Sequence, residues 1–184
     1  MLGIAQEAPA IICVGEHSVR KNHGAVIRAA APLADVQVLF CGVGEKQPEL
    51  EALTRELHME NRVHFLGFRT DIPQLLAAAD VFVFPSLQEG LPVSQMEAMA
   101  AGLPCVVSDV RGNADLIRPG EGGYLRKPSD HAGMSEDIAR LLSDEALRRK
   151  MGERNRREME KYSLDAVLRQ MTALYRQVLE DNHG

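Results

Sequence analysis

Glu89 and Glu97 stand with seven residues between them in "QEGLPVSQMEAMAAGLPCVVSD", residues 88–109. Glu89 falls in a Gly-Pro turn, and Glu97 falls in a run of Ala and Met that favours helix. Pro92 suits the first position of that helix, where its missing N–H costs nothing. Amides around Gly90, Leu91, Val93 and Ser94 then point out of a helix amino terminus, an arrangement suited to an anion such as phosphate. The two carboxylates would repel a phosphate, so their useful partners are hydroxyls. A carboxylate accepts hydrogen bonds from a vicinal diol, as on ribose or a hexose. A ligand carrying both phosphate and sugar, such as a nucleotide-sugar, satisfies both demands. The same residues also permit a plainer reading, in which Glu89 caps the helix and Glu97 is a surface acid.

Elements that could position such a site alternate along the chain. Short apolar runs, "AIICVG" (10–15), "VQVLFCGVG" (36–44), "RVHFLG" (62–67), "VFVFPS" (81–86), "PCVVSD" (104–109) and "GYLR" (123–126), read as strands. Helical patterns lie between them at 22–33, 46–59, 71–80, 93–101 and near "NADLI", and continue at 131–143, 144–161 and 164–181. Continuously apolar strands alternating with helices mark a parallel sheet covered on both faces. The expected fold is α/β: a Rossmann-like three-layer α/β/α arrangement with about six parallel strands, plus carboxyl-terminal helices. Ligands bind such sheets beyond the carboxyl ends of the strands. That singles out the loops 15–22, 42–46, 67–71, 85–92 and 108–113.

Composition removes several classes. With 184 residues and 45% hydrophobic residues, the chain suits one compact domain. The net charge of -5 argues against nucleic acid as a partner. No apolar run approaches the ~20 residues of a membrane span. The start, "MLGIAQEAPAIICVG", lacks the form of a secretory signal. Cys13, Cys41 and Cys105 fall inside apolar strands, an odd set that reads as reduced core thiols of a cytoplasmic protein. "CGVGEKQ" opens as Gly42-x-Gly44, but Gln47 stands where a dinucleotide fingerprint needs its third glycine. The two glycines read instead as a tight strand-to-helix turn, which weakens an NAD(P)-enzyme reading. There is no P-loop, and the six histidines, His17 and His23 beside a loop among them, suggest no metal site. The charge-dense 147–161 reads as a solvated helix face.

The stretch "EGLPVSQMEAMAAGLPCVVSD" resembles the Glu-x7-Glu motif of retaining GT-B glycosyltransferases of family 4. "IICVGEHSVRKNHGAVIRAA", "VLFCGVGEKQPELEALTRELHMENRVHFLGFRTDIPQLLAAADVFVFPS", "VRGNADLI" and "KMGERNRREMEKYS" follow that family's order and spacing. Members that build capsular polysaccharide or exopolysaccharide are the nearest in pattern. The resemblance covers the carboxyl-terminal, donor-binding half of the two-domain fold. It implies an acceptor-binding half ahead of residue 1, and a final segment, 162–184, that crosses back to that half.

Residue by residue, the resemblance implies that Glu97 holds the donor ribose and that Glu89 orients the transferred sugar. Amides of Gly90, Leu91 and Val93 would hold the pyrophosphate, with Ser94 beside them, and Lys21 would neutralise it as it leaves. Phe68 and Arg69 of the "LGF" loop would border the base. Glu89 and Lys21 are thus the expected catalytic pair, and the donor is an NDP-sugar handled with no metal and no cofactor. Many members carry Arg where this chain has Glu16, and Arg20 beside Lys21 is the candidate replacement. Many carry Gly where Pro92 stands, which removes one amide from the phosphate site. A cytoplasmic location is implied, peripheral at the inner membrane within a longer protein. The stripe Leu164, Val167, Leu168, Met171, Leu174, Tyr175, Val178 and Leu179 suggests an amino-terminal half or a second copy as partner.

Overall fold

A computed structural model describes residues 7–181 of the chain. Residues 1–6, which carry part of the argument against a secretory signal, and 182–184, the end of the expected crossing segment, lie outside the described residues. In chain order the elements are β1 (Ala10–Val14), α1 (His23–Ala30), β2 (Gln37–Cys41), α2 (Gln47–Glu56), β3 (Val63–Phe65), α3 (Ile72–Ala77) and β4 (Val81–Phe84). They continue as α4 (Val93–Ala101), β5 (Cys105–Ser108), α5 (Arg111–Ala114), β6 (Gly123–Arg126), α6 (His131–Ser143), α7 (Glu145–Met159), a 3-10 turn (Glu160–Tyr162) and α8 (Leu164–Asp181).

Six strands form one parallel sheet in the order β3-β2-β1-β4-β5-β6. The strands are apolar without alternation because both faces are covered: all four residues of β4 are fully buried, as are Ile11, Ile12 and Cys13 of β1. Right-handed crossovers put α1 and α2 on one face and α4 on the other, since β1 to β3 step one way and β4 to β6 the other. Accordingly α1 packs on α2 and α6, while α4 packs on α3 and α7. The order reverses between β1 and β4, so the loops after these strands diverge and leave a crevice at the sheet's carboxyl edge.

Local chemistry sets several boundaries. Asp130 and Asp144 cap α6 and α7 by accepting from the amides of Gly133 and Leu147, each at 2.9 Å. Helix α1 is shorter than the expected 22–33, because Asn22 sits at φ 54° and serves the preceding loop. Gly42 and Gly44 do form the tight turn. A Cβ on Gly42 would lie 2.0 Å from the Gly15 carbonyl oxygen, and one on Gly44 would lie 2.4 Å from that of His17. Only glycine lets the ends of β1 and β2 approach so closely.

The charge-dense stretch 147–161 is more than a solvated face. Met151, Asn155 and Met159 are buried, and Asn155 donates to the carbonyls of Leu103 and Gly122, both at 2.7 Å. In contrast, α8 leaves its apolar stripe open: Leu164, Leu174, Tyr175 and Leu179 are each at least 60% exposed. Its substantial contact among the described elements is with the 3-10 turn. No described helix is long and apolar enough to cross a membrane.

Candidate active site

Lys21 and Glu89 meet across the point where the sheet order reverses. The loop after β1 carries Lys21, the loop after β4 carries Glu89, and Nζ lies 2.7 Å from Oε1. The stem of Lys21 runs over Gly15, and its ammonium lies 4.6 Å from the centre of the Phe84 ring. Arg20 approaches the same carboxylate oxygen at 3.5 Å and donates to the Gln88 carbonyl at 3.4 Å. The two loops are also joined through the backbone, since the Leu87 amide donates to the Arg20 carbonyl at 2.8 Å. Asn22 fixes the Lys21 loop from below by donating to the carbonyls of Pro85 and Pro128, at 3.0 and 3.2 Å.

Beneath this pair lies a polar network that sequence reasoning missed. Asn113 donates to the Ser108 hydroxyl at 2.9 Å and to the Ser108 carbonyl at 3.2 Å, and lies 3.4 Å from the Ser86 hydroxyl. Ser108 donates to the Ser86 carbonyl, and Gln95 of α4 donates to the Asn113 carbonyl at 3.2 Å. All four side chains are buried. They bind the ends of β4 and β5 to the first turn of α4, which fixes the base of the Glu89 loop. The available signal was polar residues closing two apolar strands, Ser86 and Ser108. Above the network, Gly112 presses against the loop: a Cβ there would lie 2.5 Å from the Gly90 carbonyl oxygen.

Helix α4 opens differently from the expectation. Pro92 is its cap, one residue ahead of the helix, and its carbonyl accepts from the Gln95 and Met96 amides at 3.0 and 3.1 Å. The amides of Val93 and Ser94 keep no intrahelical acceptor. No side chain caps this helix, so the plainer reading of Glu89 as a helix cap does not hold.

The other expected residues are spread over three neighbouring openings. Glu89 and Gly90 line a cavity of about 650 Å³ with Arg111 and Asp115. Glu97 is exposed and lines a separate groove of about 490 Å³ with Leu91, Val93 and Met96. Phe68 and Arg69 line a third, of about 430 Å³, at the ends of β1 and β2. Arg69 is held in plane by Asp71, with Nε and Nη2 at 2.8 and 2.6 Å from its two oxygens. Thus Lys21, Arg20, Glu89 and Gly90 come together, while Glu97 and the Phe68–Arg69 pair stand apart on the same edge.

Beside the Lys21 loop, His17 and His23 are buried, not merely neighbours of a loop as the sequence suggested. Their rings meet edge to face at 4.8 Å and pack on Phe40. Burial lowers the His23 pKa to about 3, with His17 and the Lys21 charge adding to the effect. Burial also lowers that of His17, with Gln47 partly opposing it. None of the four ring nitrogens meets a hydrogen-bond partner at ordinary geometry, and burial favours the neutral form of both rings.

A Rossmann-like parallel sheet with a crevice at the reversal of its strand order, and an ion pair within it, defines a ligand-binding α/β domain. Residues 2–158 match the family model described as glycosyl transferases group 1, and the chain belongs to that family. Its sheet and flanking helices form one half of the two-domain GT-B fold. N-acetyl-alpha-D-glucosaminyl L-malate synthase of Bacillus anthracis is 32% identical over 184 residues, covering 98% of this chain and 48% of the relative. The lipopolysaccharide core biosynthesis glycosyltransferase LpsE of Rhizobium meliloti is 33% identical, covering 80% of this chain and 44% of the relative. The crystal structure of Anabaena HepE in complex with UDP and glucose superposes with a TM-score of 0.89 at 26% identity. It covers 96% of this chain and 50% of that one. The chain therefore spans about half the length of the relatives it matches.

Proposed function

We propose that this chain is the donor-binding half of a retaining family 4 glycosyltransferase. The full reaction moves a sugar from a nucleoside-diphosphate sugar to an acceptor hydroxyl, in the synthesis of a surface polysaccharide. The observation that carries the reading is the pairing of Lys21 with Glu89 at the sheet's reversal point. A cation for a diphosphate and a carboxylate for sugar hydroxyls stand side by side there, on loops locked by backbone and side-chain bonds.

In this reading Lys21, with Arg20 behind it, takes the pyrophosphate and stabilises the charge that grows as the nucleoside diphosphate departs. The amides of Gly90, Leu91, Val93 and Ser94 supply further donors. Glu89 turns to the hydroxyls of the transferred sugar, and Glu97 accepts from the ribose diol. Phe68 and Arg69 border the base. HepE, solved with UDP and glucose, supports a ligand of this class. LpsE, by its name, supports a role in surface glycan synthesis.

The acceptor wall of the cleft belongs to a separate amino-terminal half, toward which α8 would cross. The uncovered stripe on α8 favours a partner, either that half or a second copy of the chain. The site of action is the cytoplasm, with a peripheral position at the inner membrane in the complete protein. Alone, this chain binds donor and transfers nothing to a specific acceptor, because holding both reactants in geometry is worth up to ~7–11 kcal/mol. Calorimetric titration tests the reading. A nucleoside diphosphate should bind with Kd ~0.1–1 mM. Lys21→Ala should weaken the diphosphate much more than the uncharged nucleoside, and the loss should shrink as salt rises. Binding indifferent to Lys21, or acceptor-dependent transfer by this chain alone, would refute it.

A further inference from the structure

Asn22 follows Lys21 directly and holds a backbone conformation that few residues other than glycine adopt. Its φ of 54° and ψ of 39° lie in the left-handed region. Such strain persists only where surrounding bonds over-determine it, and here they do. The side-chain amino group donates to the Pro85 carbonyl at 3.0 Å and to the Pro128 carbonyl at 3.2 Å. The backbone amide donates to the Val19 carbonyl at 3.2 Å. Pro85 follows β4 on the way to Glu89, and Pro128 lies between β6 and α6. The Pro128 turn is itself braced. Before it, Arg126 grips Asp137 of α6 through bonds of 2.6 and 2.8 Å, and after it Asp130 caps α6. One side chain therefore ties together the loops after β1, β4 and β6.

We propose that Asn22 is the positioning residue of the diphosphate subsite. It holds the Lys21 backbone so that the ammonium can pass from Glu89 to a diphosphate without leaving the crevice. The proposal rests on the donor-binding reading and deepens it. Lys21 has a flexible four-carbon stem, and its one ion-pair partner is Glu89. In that reading Glu89 turns to the sugar hydroxyls, so the pair cannot be what keeps Lys21 in place once donor is bound. The Asn22 bonds remain in both states. A cation fixed before the ligand arrives loses less freedom on binding. Asparagine suits the position on two counts. Its amino group can meet two carbonyls at once, which a carboxylate cannot, and it enters the left-handed region more readily than most side chains.

Asn22→Gly removes both side-chain bonds and keeps the left-handed backbone without a steric clash. The experiment is calorimetric titration of the 184-residue chain, Asn22→Gly, Lys21→Ala and the double variant with UDP, GDP, uridine and guanosine, at low and high salt. Melting temperatures are recorded alongside. Asn22→Ser, neutral and too short to reach both carbonyls, is read in the same way. Asn22→Gly should weaken diphosphate binding about fivefold at low salt. It should leave the nucleosides nearly unchanged, and the loss should shrink as salt rises. In the Lys21→Ala background the same change should weaken the diphosphate no further. A loss shared equally by nucleoside and diphosphate, a loss that persists without Lys21, or a lowered melting temperature with diphosphate affinity unchanged would overturn the positioning role and leave the donor reading standing. No diphosphate binding by the wild type, or binding indifferent to Lys21→Ala, would overturn both.

Discussion

Glu89→Gln is a revealing perturbation, because on the proposed donor-binding reading the Glu89 carboxylate and a donor phosphate compete for Lys21. The carboxylate sits 2.7 Å from the Lys21 ammonium and 3.5 Å from Arg20, with side-chain exposures of 5% for Glu89 and 13% for Lys21. A bare nucleoside diphosphate must pull Lys21 off Glu89 before it gains that cation. Two unit charges at ~4 Å attract by about 4 kcal/mol in a surface-like medium, whereas a fully exposed pair contributes ~0–1 kcal/mol net. A mostly buried pair on the rim falls between, at about 1–2 kcal/mol. Glutamine keeps the shape and removes most of that competition, so UDP or GDP should bind about 5–30-fold more tightly. The sugar-bearing donor should not share the gain, because a neutral amide accepts less strongly from the sugar hydroxyls than a carboxylate does. Titration of wild type and variant with GDP, GDP-mannose, UDP and UDP-glucose reads the ratio directly. The variant should also lose about 1–3 kcal/mol of stability, since Lys21 is left without its counter-charge. A folded Glu89→Gln protein with unchanged diphosphate affinity would refute the idea that the carboxylate and the phosphate compete for Lys21. A Lys21→Met, Glu89→Gln cycle with no coupling would refute it equally.

Other outcomes are expected at neighbouring positions. Glu97→Ala should weaken nucleoside diphosphates by ~1–3 kcal/mol if the ribose diol loses its acceptor, and deoxyribose analogues should be insensitive to the change in the same titration. Gly112→Ala must push the Gly90 carbonyl, 2.5 Å from the new Cβ, and so should lower donor affinity and thermal stability together, by ~1–3 kcal/mol of overpacking. Acid should destabilise the fold through His23. Its folded pKa is lowered to about 3, below the unfolded 6.5, so the unfolded chain takes up the proton first and stability falls as pH drops below 6.5. The loss should reach about 2 kcal/mol at pH 5, and denaturant titrations of a His23→Phe variant should lack most of it.

The sheet was readable because its inner strands β1, β4 and β5 are buried and largely apolar on both faces, which only a doubly covered parallel sheet rewards. Strand ends were overrun, as at 36–44 against Gln37–Cys41, because the following turn is built of apolar Val43 and two glycines and reads as more strand. Of the site, the motif spacing brought out Glu89 and the start of α4. What the spacing could not carry was distance across the sheet: that Lys21 and Glu89, 68 positions apart, would touch depends on the strand order. Asn113 and the His17–His23 pair escaped for a related reason. A polar residue in a loop looks solvated until the fold shows what closes over it, and here Phe40 and Phe65 close over the histidines.

The open stripe on α8 also bears on how the molecule comes apart. A helix whose main neighbour is the short 3-10 turn before it shares little of the core's cooperativity. Its backbone bonds should therefore break and re-form on their own, and its amides should exchange with solvent deuterium far sooner than those of β1 or β4. Removal of everything after Ser163 should leave the melting temperature of the sheet domain nearly where it was. The chain should then behave as two folding units of unequal size: a sheet domain that melts as one, and a tail helix that opens on its own.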